Sequence, residues 1–240
     1  VVDFVSRPAR TLVVWCPDWP LTALGVGPEE LAVVIDEGLV RAASALARAY
    51  GVVRGQHRRD AQARCPDLIV LESDEAREAC RFEPVVVALG GITPWVEIRR
   101  PGVCSFGVRG PRRLFGGEDH LVQCTATTVA ESLADLPGVG RPACRVGVAD
   151  GSFAAGLAAR AAARAGMGSL VVPVGTTRSF LAVQPVAVLD RPELTDLLVR
   201  LGLTTLGAFA ALPVGDVVGR FGAEGLVAHR LASGVGDHLS

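Results

Sequence analysis

VVWCPDWPLTAL, residues 13–24, opens as a buried strand and then breaks the rules of one. Val13, Val14 and Trp15 are β-branched and aromatic, the side chains that suit a pleated, half-buried surface. Pro17 and Pro20 then bracket Asp18 and Trp19, and proline cannot donate to a strand ladder. The stretch therefore reads as a strand that ends abruptly and carries a carboxylate off its end. Asp18 is the first candidate for chemistry, and its neighbours decide whether it does any.

The chain of 240 residues is 50% apolar, enough for a real core and for more than one compact unit. So much apolar material argues against disorder. No apolar run approaches the ~20 residues of a membrane span. The first ten residues, VVDFVSRPAR, lack the pattern of a signal peptide, so a soluble intracellular protein is expected. The six cysteines, Cys16, Cys65, Cys80, Cys104, Cys124 and Cys144, form no CxxC pair and have no histidine at metal spacing. They read as reduced, mostly buried thiols, and no structural zinc is expected. All 24 basic residues are arginine, so no ammonium group is available for Schiff-base, general-base or phosphate-gripping work. With a net charge of −1, no nucleic-acid partner is announced globally. Arginine does cluster locally, at 53–64 and 108–113.

Strands are predicted at 11–16, 31–35, 67–73, 95–100, 103–110, 144–149 and 169–174, with helices at 39–50, 58–64, 74–90, 120–136 and 152–166. The helix at 120–136 stops at Pro137-Gly138. Beyond about residue 172 the pattern turns purely helical, at 192–202, 205–213, 214–222 and 223–234. An α+β body followed by a small all-α module is the expected organisation. Asp36-Glu37 is the one adjacent acidic pair after an apolar run, and it reads as an acidic cap on the helix that follows. The four histidines do not group, and none is assigned catalysis.

Four stretches together resemble the Y-family translesion DNA polymerases over nearly the whole chain. AASALARAYGVVRGQ (42–56) with AQARCPDLIVL (61–71) is similar to the family's fingers segment. RVGVADGSFAAGLAARAAA (145–163) leading to SLVVPVG (169–175) is similar to its palm, LGLTTLGAFAALP (201–213) to its thumb, and RFGAEGLVAHRLASGVGD (220–237) to the stretch before its little-finger domain. The likeness runs nearest to the polymerase-like member of the bacterial mutasome. It implies an α+β Y-family polymerase core with a ferredoxin-like palm (a mixed sheet with packed helices), a small fingers domain and an all-α thumb, the little finger being absent from this chain. The palm would take residues 1–26 and 76–172, the fingers 27–75, and a thumb of helix-hairpin-helix type 173–240.

The same resemblance implies that the chemistry is lost. A polymerase needs carboxylates converging on two divalent cations, and hard Mg²⁺ accepts only oxygen ligands. In the family register the metal-binding carboxylates of the first strand fall on Trp15 and Pro17, and those of the second acidic motif fall on Gly102 and Val103. Trp15 is expected to help close the old site. The steric-gate aromatic falls on Pro20 and the fingers tyrosine on Ala45, while the triphosphate-binding arginine persists as Arg48, either a nucleotide-binding remnant or a surface ion pair. Gly156 lies near the position of the absent palm lysine. In the thumb, Gly202, Leu203, Thr205 and Gly207 would form a turn presenting backbone N–H groups to a DNA phosphate, with Arg200 and Arg220 beside it. The alternative is an ordinary hairpin with a glycine C-cap.

The implied function is that of a catalytically inactive adapter, without metal or cofactor, in DNA-damage tolerance and induced mutagenesis. It would be cytoplasmic and nucleoid-associated. Its implied partners are the sliding clamp, an ImuA-type mutasome protein and an error-prone C-family polymerase subunit, reached mostly through regions C-terminal to this chain, with primer–template DNA as a further one and no membrane. Two other readings compete: an active polymerase with displaced ligands, Asp18 and Glu97, and a protein-interaction domain with no DNA contact.

Overall fold

The computed structural model describes residues 8–27, 29–134, 136 and 143–235. Among the described residues, eight strands form two sheets. One is a five-stranded sheet in the order β5-β6-β1-β7-β8, built from β1 (Arg10–Trp15), β5 (Glu97–Arg100), β6 (Val103–Gly107), β7 (Arg145–Asp150) and β8 (Ser169–Val171). The other has the order β3-β2-β4, with β2 (Ala32–Asp36), β3 (Leu39–Ala43) and β4 (Ile69–Glu72). Both are mixed: β5 and β6 are antiparallel while β7 and β8 are parallel, and β2 pairs antiparallel with β3 but parallel with β4. The α+β class expected from the sequence is what the structure has.

The chain divides into two compact units. The first comprises residues 14–105 and 115–145. Its helices are α1 (Trp19–Ala23), α2 (Ala45–Ala49), α3 (Arg58–Arg64), α4 (Glu75–Leu89) and α6 (Glu118–Ser132), α5 (Pro111–Leu114) belonging to the other unit. The small sheet is organised by β2, whose apolar residues are buried on both faces, as expected of a central strand. Val33 and Ile35 point into one cluster with Val40, Ala47, Val52, Ala61 and Leu68. The alternate residues Ala32 and Val34 join Leu21 and Val26 on the opposite face.

One prediction fails here for a clear reason. Residues 39–50 were expected as a single helix because Leu, Arg and Ala favour that state. Instead 39–43 form β3, and α2 starts at Ala45 under a Ser44 cap whose hydroxyl accepts from the Ala47 N–H. A two-residue hairpin wins: Glu37 and Gly38 both take positive φ, 48° and 80°, and Asp36 pairs with Leu39. Asp36-Glu37 is therefore a hairpin turn and caps no helix. The β3 register also shifts between its pairs with Val34 and Ile35, leaving Arg41 as the extra residue of a bulge. The other predicted elements appear with ends shifted by a few residues, α6 for instance running 118–132 in place of 120–136. The stop signal Pro137-Gly138 lies outside the described residues.

The second unit comprises residues 1–13, 106–114 and 146–240, of which 8–13, 106–114 and 146–235 are described. Here β7, α7 (Ser152–Arg164) and β8 make a strand–helix–strand unit, followed by α8 (Thr177–Ala182), a 3₁₀ turn at Val186–Leu189, α9 (Pro192–Arg200), α10 (Leu206–Ala210) and α11 (Val214–Ala232). The predicted boundary between two helices at residue 222 survives as a break inside α11, where Gly222 adopts φ 63° and ψ −155°. Phe209, fully buried, packs edge-to-face against Phe221 and His229, and the ring of His229 bonds the Leu212 carbonyl oxygen. His229 is a core residue. Among the described residues no helix is long and apolar enough to cross a membrane.

Helix α7 is packed against β7 so closely that Gly147 has no room for a side chain. A Cβ there would lie 3.0 Å from Ala159 Cα, and closer still to the Ala155 carbonyl oxygen and the Ala159 amide nitrogen. Overpacking against backbone costs about 1–3 kcal/mol. Gly147→Ala is expected to lower the unfolding free energy by that amount, read as a lower urea midpoint at an unchanged m-value.

Candidate functional site

The corner that VVWCPDWPLTAL builds lies in the first compact unit, where β1 ends beside the turn between β5 and β6. The Cys16 N–H donates to the Gly102 carbonyl oxygen at 2.8 Å, fixing that proximity. The chain then turns at Asp18, which adopts the left-handed conformation, φ 54° and ψ 30°, and enters α1 with Pro20 in its first turn. Every residue of α1 is buried. An apolar five-residue helix fully inside the protein is held by packing, since it is too short to persist alone.

Trp19 is the centre of this packing. It is 1% exposed, its Nε1–H donates to the Glu78 backbone carbonyl at 3.0 Å, and its ring meets Phe82 edge-to-face at 5.1 Å between centroids. Above it sits Gly102, with φ 84°. A Cβ on Gly102 would lie 2.7 Å from Trp19 Cγ and nearer still to Trp19 Cβ. Real Cβ atoms do not approach that closely, and the blocking atoms are the root of a buried side chain, which cannot swing aside. Trp15, by contrast, is only half-buried. The residue that closes this corner is thus Trp19, four positions beyond the expected Trp15.

Pro17 and Val103 are half-buried, and the next residue, Cys104, is fully buried. Burial pushes the Cys104 thiol up to about 12, so it stays protonated and unreactive. The remaining carboxylates are occupied. Both oxygens of Asp18 accept from Arg48, at 2.7 Å from Nη1 and 2.9 Å from Nη2. Glu97 accepts from the Ser105 hydroxyl at 3.4 Å. Among the described residues no group of three or more His, Cys, Asp or Glu is placed to hold a metal ion. The donor set does not fit the two divalent cations that polymerase chemistry requires.

Beneath Trp19, Glu78 is 1% exposed and accepts from Arg41 Nη2 at 3.2 Å, while Arg41 also reaches Ser73 and Glu75. The β3 bulge is what places Arg41 in the chain at this point. Burial raises the Glu78 carboxyl above its ordinary 4.5; Arg41 opposes the rise, Glu75 adds to it, Arg100 opposes and Asp74 adds.

Cys16 is 3% exposed and forms a disulfide with Cys144, their Cα atoms 4.3 Å apart across 128 residues of sequence. This corrects the expectation that all six thiols are reduced. The sheet order sets β7, which follows Cys144, next to β1, which precedes Cys16. Sequence spacing carries no trace of that neighbourhood.

In the helical part of the second unit, Gly202 is the C′ residue of a Schellman cap on α9. Its N–H bonds the Val199 carbonyl and the Leu203 N–H bonds the Leu198 carbonyl, both at 2.9 Å, with φ 80° at Gly202. Thr205 caps α10 by accepting from the Ala208 N–H at 3.2 Å. Gly207 packs against α8, where a Cβ would lie 2.8 Å from the Ala182 carbonyl oxygen. The amides of Gly202 and Leu203 are therefore committed within the protein. Arg200 and Arg220 are exposed.

Residues 24–160 match the impB/mucB/samB family. Protein ImuB of Caulobacter vibrioides is 32% identical over 173 residues, covering 72% of this chain and 35% of that protein. DNA polymerase IV of Dehalococcoides mccartyi is 28% identical over 200 residues, covering 82% of this chain and 49% of that one. The chain thus spans between a third and a half of these relatives. Among solved structures, an insertion ternary complex of Dbh DNA polymerase superposes with a TM-score of 0.74 at 17% identity, covering 96% of this chain and 68% of that one. DinB from Sulfolobus solfataricus gives 0.73 at 17%, covering 93% and 66%. At such identity these two establish the fold alone.

Two outcomes follow from the corner. Gly102→Asp, which puts a carboxylate where the family resemblance expects a ligand, is expected to destabilise by about 2–5 kcal/mol, the sum of left-handed strain and overpacking; urea denaturation measures it. For Glu78, the folded value is raised, so its contribution is fully present below the unfolded value and is lost as pH rises through the folded one. Glu78→Gln is expected to flatten that loss in a series of denaturation curves taken upward from pH 4.5.

Proposed function

This chain belongs to the impB/mucB/samB family of Y-family polymerase-like proteins, and from that membership we propose that it is a polymerase-shaped adapter with no nucleotidyl-transfer activity. Its setting is DNA-damage tolerance and induced mutagenesis. The observation that carries the reading is the Trp19–Gly102 contact, which leaves no space for a side chain, hence none for a metal-binding carboxylate, at residue 102. The displaced-ligand alternative is weakened by the same geometry, because Asp18 and Glu97 already bond Arg48 and Ser105. A pseudoenzyme keeps the shape of its ancestors and puts it to use in recognition. The proposed partners are the replication sliding clamp, an ImuA-type mutasome protein and an error-prone C-family polymerase subunit, a set that the likeness to ImuB favours.

We further assign residues 27–75 to the fingers, 1–26 and 76–172 to the palm, and 173–240 to the thumb. In the thumb, Arg200 and Arg220 would meet DNA phosphates through their side chains, a contact that positions the protein without reading sequence. The commitment of the Gly202 and Leu203 amides moves that role from backbone to arginine.

Primer extension tests the reading directly: with Mg²⁺ or Mn²⁺ no nucleotide is added to a primer–template. Incorporation that Asp18→Ala abolishes would overturn it. Binding of the same duplex across a salt series tests the thumb assignment. Arg200→Ala and Arg220→Ala each reduce the slope of log affinity against log salt by about 1. A signal with no salt dependence in the parent protein sinks the assignment.

A further inference from the structure

We infer that the Cys16–Cys144 disulfide is a reversible redox latch on the first compact unit. Closed, it staples the unit's entry to its exit; open, it leaves that unit alone weakened.

The placement of the bond carries the inference. The unit comprises residues 14–105 and 115–145, so Cys16 is its third residue and Cys144 its last but one. The bond spans 128 residues of sequence, and only the excursion at 106–114 within that span belongs to the other unit. The closed loop is therefore almost the whole unit and little else. A disulfide acts mainly on the unfolded chain, and a longer loop loses more entropy when it is closed. For a loop of this length the chain-entropy relation corresponds to about a thousandfold in the opening equilibrium. That factor falls on states in which the first unit is open. Helices α9, α10 and α11 lie outside the loop, so their own opening does not feel it.

The bond is also within reach of a small thiol. Cys16 is 3% exposed, but Cys144 is half-buried, so attack comes from the Cys144 side. The thiolate of glutathione bonds to the Cys144 sulfur, the Cys16–Cys144 bond breaks, and Cys16 leaves as a thiolate that takes up a proton. A second glutathione thiolate then attacks the mixed disulfide. It releases glutathione disulfide and the Cys144 thiolate, which is protonated in turn. The protein is reduced by two electrons and two glutathiones are oxidised to one disulfide; closure is the same exchange in reverse.

The other cysteines do not divert this exchange. Cys104 on β6 is fully buried, and burial pushes its thiol up to about 12, so it supplies no thiolate. Cys65 is buried in the apolar cluster of the small sheet, and Cys80 and Cys124, on α4 and α6, are free thiols. In a compartment kept reduced by small thiols, a disulfide is usually transient or redox-sensing. That this protein works in such a compartment rests on the DNA role proposed above, and only this clause does.

Native-state hydrogen exchange on the full chain, without DNA or nucleotide, tests the latch. The parent protein is oxidised with glutathione disulfide and then reduced with excess glutathione, and mass spectrometry reads the gain of two hydrogens. Reduction should lower the protection of the Val33 and Val34 amides on the central strand β2 about a thousandfold. The amides of Leu198 in α9 and Phe209 in α10 should keep theirs. Return to glutathione disulfide should restore the first pattern. Cys144→Ser, at the half-buried end of the bond, should show the reduced pattern in either buffer. A bond that glutathione cannot open in the folded protein, or that does not re-form, overturns the inference. So does an equal loss of protection in both units, no loss in either, or a response to glutathione that survives in Cys144→Ser. None of these outcomes involves primer extension or DNA binding, so the latch and the adapter reading stand or fail separately.

Discussion

A single indole holds the first compact unit in register. Trp19 touches the β5–β6 turn through Gly102, α4 through the Glu78 carbonyl, and the ring of Phe82 one helical turn further on. Burying an aromatic of this size is among the largest individual contributions a core residue makes, and its N–H is satisfied as a buried indole requires. The geometry of the surrounding corner follows. Gly102 must lack a side chain, α1 must be buried along its whole length, and Asp18 must turn outward, where it meets Arg48.

The electrostatics of the corner are reversed relative to a two-metal site. Carboxylates gather there to hold cations, and the cations in turn neutralise them. In this protein each carboxylate of the corner has an internal donor instead: Arg48 for Asp18, Arg41 for Glu78, Ser105 for Glu97. Guanidinium and hydroxyl donors within the protein thus meet these carboxylates, while one buried oxygen of Glu78 has no hydrogen-bond partner.

Much of this architecture was legible in the chain. The apolar runs at 31–35 and 144–149 are strands because nothing in them competes with burial, and the alanine-rich stretch 152–164 is a helix for the complementary reason. That Trp15, Pro17, Gly102 and Val103 are not carboxylates is plain in the chain, and that they stand at ligand positions is what the family resemblance implies. What stayed hidden depended on tertiary neighbours. Residues 39–43 have helical propensity, and only pairing with β2 turns them into a strand. Trp19 could be named as an aromatic, but its contact with a glycine 83 positions away belongs to the fold. The Cys16–Cys144 pair exists because β1 and β7 are adjacent. The Asp18–Arg48 pair had a faint signal, since a surface ion pair was one of the two readings of Arg48 and Asp18 was a nearby acid.

The contact between Gly102 and Trp19 also bears on how this lineage can change. An aspartate cannot be placed at position 102 while the indole occupies its space, and the indole cannot be lost first without opening a cavity under the turn, where truncating a buried tryptophan costs about 3–5 kcal/mol. Either order passes through a protein weaker than its neighbours on the path, and marginal stability leaves little room for such an intermediate. The two residues constrain each other: while the indole fills the space over residue 102, no single substitution there adds a side chain without loss of stability.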